Sequence, residues 1–88
     1  MAYRVELTPR AADEYRRLPR HVQSRVGRWL DLLAEDPRRT GTKQLEGRAE
    51  LRRVHAGKDY VIVYTIEDDK VRVLVVRIAH RREAYRRL

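Results

Sequence analysis

Two β-branched runs near the C-terminal end constrain this chain most. The first is Tyr60-Val61-Ile62-Val63-Tyr64, and the second contains Val73-Leu74-Val75-Val76. Asp68-Asp69-Lys70 lies between them and has the composition of a turn. Two adjacent apolar strands make a sheet that must be covered. The VLVV run predicts a central strand buried on both faces. With 88 residues there is room for one core, so residues 1–88 are expected to form one domain around that sheet.

The rest of the chain follows from local pattern. Tyr3, Val5 and Leu7 alternate with Arg4 and Glu6, which predicts a first strand. Thr8-Pro9 has the form of an N-cap followed by proline at the first helical position. Ala11, Ala12, Tyr15 and Leu18 then share one helical face, and Pro19 ends that helix and opens the next. From Arg20 to Glu35, the residues Val22, Val26, Trp29, Leu30 and Leu33 follow a 3.6-residue period. Asp36-Pro37 stops it. Residues 37–50 read as a polar connection with Gly41 and Gly47, anchored only by Leu45. Three strands follow, Leu51 to Ala56, Asp59 to Ile66 and Val71 to Ile78, and then the basic tail HRREAYRRL. The order is β-α-α-β-β-β. It predicts an α+β fold, with a helix pair packed on a mainly antiparallel four-stranded sheet.

Composition narrows the function classes. Lys plus Arg is 21 against 13 acids, a net charge of +8. Eighteen of the 21 are Arg and three are Lys, a balance that favours planar, bidentate contacts with phosphate or carboxylate. The sequence pI is about 10.6, and such a domain calls for a polyanionic partner, nucleic acid first and an acidic protein segment second. There is no cysteine, which excludes disulfides, thiolate zinc sites and cysteine nucleophiles and fits a reducing cytoplasm. No apolar run approaches the ~18–20 residues of a membrane span, and no membrane partner is expected. MAYRVELTPR does not have the pattern of a signal peptide, because charges interrupt each short apolar stretch.

The catalytic groups available are few. His21, His55 and His80 have no i,i+4 pairing, so neither zinc nor any other cofactor is expected. Glu35-Asp36 and Asp68-Asp69 sit where a helix end and a turn want them. There is no phosphate-cradling glycine loop, and Ser24, the sole serine, lies mid-helix. What remains is a basic sheet. Arg53 and His55 should share one strand face, with Val54 and Ala56 on the other. Arg77, His80, Arg81, Arg82 and Tyr85 cluster at and beyond the last strand. Arg cations, an imidazole and a phenol form a kit for RNA cleavage without a metal. The 2′-hydroxyl must lose a proton, the phosphorane carries extra negative charge, and the 5′-oxygen must gain a proton. A histidine, with an ordinary pKa of ~6.5, transfers protons; an arginine stabilises charge. On the residues alone, a small basic α+β domain that binds a polyanion is as far as the pattern reaches. Tyr60 and Tyr64, on one strand face, are expected in the core.

Several stretches together resemble the RelE/ParE toxin superfamily of bacterial toxin–antitoxin modules. They are YRVELTPRAADEYRRLP, VQSRVGRWLDLLAEDP, GTKQLEG, LRRVHAGKDYVIVY and RIAHRREAY, and they span nearly the whole chain. The KQLEG and HRREAY segments look more like the RelE branch. The resemblance implies a RelE-like fold and a ribosome-dependent endoribonuclease that cuts mRNA and inhibits translation. It implies catalytic roles for Arg53, His55, Arg81 and Tyr85: Arg53 and Arg81 on the phosphate, His55 in proton transfer, Tyr85 stacking or sharing that transfer. Lys43, Arg52, Lys58, Arg77 and Arg82 are implied as RNA contacts. One departure stands out. Family members often carry Arg after the Tyr that follows the glycine turn; here Gly57-Lys58-Asp59-Tyr60-Val61 has one extra residue and Val61 in that place. The implied partners are an acidic cognate antitoxin, the ribosome and mRNA, with operator DNA reached only through the antitoxin. Two other outcomes belong to the same superfamily: a ParE-like, non-nuclease inhibitor of DNA gyrase, and a degenerate toxin acting only with its antitoxin in transcriptional autoregulation.

Overall fold

The computed structural model describes residues 2–88. Strand β1 (Arg4–Leu7) leads into helix α1 (Pro9–Arg16) and helix α2 (Arg20–Glu35). Four strands follow: β2 (Thr42–Leu45), β3 (Arg48–His55), β4 (Tyr60–Glu67) and β5 (Arg72–His80). The sheet order is β1-β5-β4-β3-β2. β1 runs parallel to β5, and every other pairing is antiparallel. The α+β class therefore holds, with five strands instead of four. The additional strand, β2, lies inside the stretch read as a polar connection. Its residues Thr-Lys-Gln-Leu carry little strand signal. It forms because β3 starts three residues earlier than expected, and the two-residue turn Glu46-Gly47 folds one strand back on the other, with Gly47 at φ +79°.

Three of the four helix ends match the sequence signals; α1 stops at Arg16, so Leu18 packs on the core from the short link before Pro19 and not from the helix. The Thr8 hydroxyl accepts the Ala11 amide at 3.1 Å, and Pro9 occupies the first turn. Asp36 is extended, as a residue before proline must be, and this ends α2. Val22, Val26 and Leu33 face the sheet, where they meet Val54, Ala56, Ile62, Tyr64, Val73, Val75 and Ile78. The opposite sheet face carries a second cluster of Leu51, Val61 and Val63, which Ala84 of the C-terminal segment covers, with Leu88 packed beside it. β4 is consequently buried on both faces from Val61 to Tyr64. That role falls to β4, the middle strand, and not to the VLVV run of β5, where Leu74 and Val76 stay partly exposed. Residues 56–59 form the β3–β4 turn, while Asp68–Lys70 forms a single 3₁₀ turn. There the Asp68 carboxylate accepts from Arg38 and from the Tyr3 hydroxyl, and these hold its pKa at about 2. Its function is the boundary chemistry expected of it. No helix among the described residues is long and apolar enough to cross a membrane.

Tyr64 is completely buried, and its hydroxyl donates to the Pro37 carbonyl at 2.7 Å. This bond fixes the chain leaving α2 against the middle strand. Tyr64→Phe orphans a buried carbonyl and is expected to lower stability by about 1–3 kcal/mol, read by chemical denaturation at constant slope. An unchanged midpoint would show that water replaces the tyrosine.

Candidate functional site: a basic cleft beside the C-terminal segment

Alternation along β3 sends Arg53 and His55 to the face opposite the helices. Val61 and Val63 of β4 are their neighbours across the ladder and are fully buried, so they form an apolar floor. Val61 therefore lies in that floor directly opposite His55. On the other side, Lys43 of β2 stands directly opposite Arg53. Like charges facing across a ladder repel, and neither residue has an ion-pair partner among the described residues. Such a pair is stabilised by an anion placed between the two cations.

The C-terminal segment supplies the other wall. The Arg81 amide donates to the Asp59 carbonyl at 2.7 Å, which anchors the start of the segment to the β3–β4 turn. Its guanidinium stays half exposed, with Asp59 Oδ1 at 4.0 Å. Tyr85 is 43% exposed and is the one large apolar side chain left open among the described residues. Together Lys43, Arg53, His55, Arg81, Arg82 and Tyr85 line an open cleft of about 950 Å³. Gln44, Leu45, Glu46, Arg48 and Leu88 complete its rim. Partial burial pushes the His55 pKa down, and the Arg53 and Arg81 cations push it further. These effects all favour the neutral imidazole, the form that accepts a proton.

The other expected contacts lie elsewhere. Arg52 points to the helix side of the sheet, where it donates to the Thr42 hydroxyl at 2.7 Å. Lys58 is exposed on the β3–β4 turn and does not line the cleft. Arg77 is a correction. It is 5% exposed, pairs with Glu14 at 2.9 Å and has no surface to offer RNA. A bulge between Val63 and Tyr64 shifts the β5 register at this point, so the position of Arg77 does not follow from simple alternation. His80 packs edge-on against Tyr60 and is likewise outside the cleft. Conversely, Arg48 and Glu46 belong to the cleft through the β2–β3 hairpin. The Glu-Gly pair in KQLEG was the signal that could have placed them. Among the described residues, no three His, Asp or Glu side chains are grouped to hold a metal ion.

A family model described as the ParE toxin of type II toxin–antitoxin systems, parDE, matches residues 5–85. The chain belongs to this toxin family. Its place in the wider RelE/ParE superfamily is equally plain in three dimensions. The isolated RelE toxin of E. coli is 28% identical, with a TM-score of 0.79, covering 90% of this chain and 84% of that one. The archaeal RelE–RelB complex from Pyrococcus horikoshii is 25% identical, with a TM-score of 0.78, covering 96% of this chain and 100% of that one. A toxin–antitoxin complex from Mycobacterium tuberculosis shares the fold at a TM-score of 0.81, with 24% identity over 92% of this chain and 100% of that one. A comparison with curated proteins finds no match. The cleft between β3 and the C-terminal segment gathers most of the candidate residues on one open basic surface of this toxin.

Proposed function

We propose that this toxin is a ribosome-dependent mRNA endoribonuclease whose active site is the basic cleft. The observation that carries this reading is the convergence of two arginines, an imidazole and an exposed phenol in one cleft. In the reaction, His55 accepts the 2′-hydroxyl proton, and the 2′-oxygen attacks the adjacent phosphorus. Arg53 and Arg81 stabilise the phosphorane, where negative charge is greatest. The bond to the 5′-oxygen then breaks, water protonates the leaving oxygen, the hydroxide so formed takes the proton held by His55, and a 2′,3′-cyclic phosphate remains. Tyr85 stacks on a splayed base and holds the scissile phosphate in register. Lys43 and Arg82 grip the flanking backbone. The ribosome contributes the ordering of the mRNA, since an open cleft alone orients a flexible strand poorly.

An acidic antitoxin is the regulatory partner in this reading. RelE has been solved bound to RelB in E. coli and in P. horikoshii. A net charge of +8 steers an acidic chain to the same cleft and speeds association. One observation favours a second reading, gyrase inhibition without cleavage: Val61 puts an apolar side chain where a third cation would stand, and the matching family model is ParE.

Inducible expression with and without the adjacent gene, followed by primer extension on a reporter mRNA, tests the choice. Cuts within codons that disappear when the start codon is removed support the nuclease. Intact mRNA with early SOS induction overturns it in favour of gyrase. Arrest of neither kind points to a degenerate toxin. Ribosome binding should also weaken with salt. Five basic side chains line the cleft, Lys43, Arg48, Arg53, Arg81 and Arg82. At a slope of about −0.7 per phosphate contact, affinity should fall roughly 10²-fold between 50 and 200 mM salt. A flat response in sedimentation assays would exclude a phosphate-facing cleft.

A further inference from the structure

We infer that Arg77 and Glu14 form a buried latch that seats the C-terminal segment, and that Arg77 is thereby a positioning residue for Tyr85. The inference rests on the cleft being the working site proposed above. The Arg77 guanidinium is almost fully buried, and its donors go in two directions. Nε reaches Glu14 Oε2 of α1 at 2.9 Å. Nη1 donates to the carbonyl of Glu83 at 3.1 Å and to the carbonyl of Arg86 at 2.7 Å. These two carbonyls bracket Ala84 and Tyr85. Ala84 is fully buried against the second sheet face, while Tyr85 opens into the cleft.

The other half of the latch is a matter of an unpaired edge. β1 pairs with β5 only as far as Val75, so the β5 edge beyond it has no strand partner. Glu14 Oε1 accepts the Ile78 amide, which has no strand partner on that edge, at 2.9 Å. One carboxylate therefore satisfies a strand amide and neutralises a buried guanidinium, and that guanidinium holds the segment. Burying a charge pair is unfavourable unless its hydrogen bonds are all made, and an apolar pair of similar volume would pack this site at least as well. What the ion pair adds is direction. A guanidinium with a fixed fork of donors sets where two carbonyls must lie. The segment has few other means to fix its position. The Arg81 amide anchors only its start, at the Asp59 carbonyl; beyond that point its own turn bonds are local, and the two side-chain clamps, Arg10 to the Arg87 carbonyl and Arg48 to the Leu88 carbonyl, are both solvent-exposed. A shift of about 1 Å in a positioning contact lowers a rate by about 10²-fold.

Arg77→Met in the full chain is the test, combined in a cycle with Tyr85→Ala. Three quantities are measured: amide hydrogen exchange at residues 83–86, the split between kcat and KM for cleavage on programmed ribosomes, and the melting curve. The expected result is lost protection at residues 83–86, a cleavage kcat lower by roughly 10–100-fold with KM within about threefold, and a cooperative melt. In the Tyr85→Ala background the same substitution should cost less than about threefold, because the group it positions is gone. Retained protection at residues 83–86, or an equal loss in both backgrounds, would overturn the latch and leave Arg77 as a core residue. Should Arg77→Met not fold, Glu14→Gln is read in the same way, since it keeps an acceptor for the Ile78 amide while removing the charge opposite Arg77. If the unsubstituted chain does not cleave mRNA, the proposed reaction fails, and hydrogen exchange alone still decides whether Arg77 seats the segment.

Discussion

Arg81→Ala is expected to abolish growth arrest and to lower ribosome-dependent cleavage by roughly 10²–10³-fold, the range for losing one stabiliser of transition-state charge. The fold should hardly notice. The Arg81 side chain is half exposed, and its contact with Asp59 at 4.0 Å is the looser kind of surface pair, which contributes little to stability. The backbone contact to Asp59 survives the substitution, because it uses the amide of residue 81. Melting should shift by less than about 4 °C, since a surface change within about 0.5 kcal/mol corresponds to a few degrees at this size. Binding of the antitoxin should largely persist, because the substitution removes one exposed cation from a chain of net charge +8. A fully toxic Arg81→Ala chain would remove Arg81 from the catalytic assignment. A chain that loses toxicity together with its fold would say nothing about chemistry, which is why the melting curve belongs to the experiment.

His55→Gln should lower cleavage by roughly 10²–10⁴-fold, the usual contribution of a positioned proton-transfer group. It should also change the pH profile, and the sign is determined by the shift. Burial, Arg53 and Arg81 all disfavour the imidazolium, so the folded pKa lies below the ordinary histidine value of 6.5. A base must be unprotonated, so activity rises with pH through the folded pKa and levels off above it. The acid limb of kcat/KM should therefore fall below pH 6.5 and disappear in His55→Gln. Stability follows the same linkage. The unfolded chain takes up the His55 proton before the folded one does, so the His55 contribution is complete above pH 6.5 and is lost as pH falls through the folded pKa. An acid limb at or above 6.5, or one that persists in the variant, would assign proton transfer to another group.

Much of the architecture was legible one segment at a time. Thr8-Pro9 and Asp36-Pro37 bound the helical region because capping and pre-proline sterics act over one or two residues. The 3.6 period from Val22 to Leu33 and the apolar run from Tyr60 to Tyr64 marked the elements that carry the core. The pairing of Arg53 with His55 on one face followed from the two-residue period of a strand, which no tertiary contact can alter without a bulge. Resemblance to RelE/ParE toxins then supplied the candidate roles of Arg81 and Tyr85.

Other features depend on partners distant in sequence. Strand β2 has little strand propensity of its own and exists because β3 is beside it to accept its hydrogen bonds. Arg77 carries no local mark that separates it from Arg81 or Arg82. A bulge in β5, a carboxylate from α1 and two carbonyls from the C-terminal segment make it a buried anchor instead of an RNA contact. The tail HRREAYRRL reads as a solvated basic end, yet Ala84 is one of the most buried residues in the molecule, since an apolar sheet face lay uncovered next to it.

The sequence by itself determined both helices and four of the five strands, and which residues of β3 share a face; its summed charge set the expectation of a polyanionic partner. Those properties come from backbone sterics, side-chain period and summed charge, all of which are local or additive. Only the tertiary structure decided which basic groups meet. It brought Lys43, Arg53, His55, Arg81 and Tyr85 to one cleft, left Arg52 and Lys58 outside it and withdrew Arg77 from solvent. Convergence of that kind is set by register, by one bulge and by the path of the last eight residues, and each depends on contacts between residues far apart in the chain.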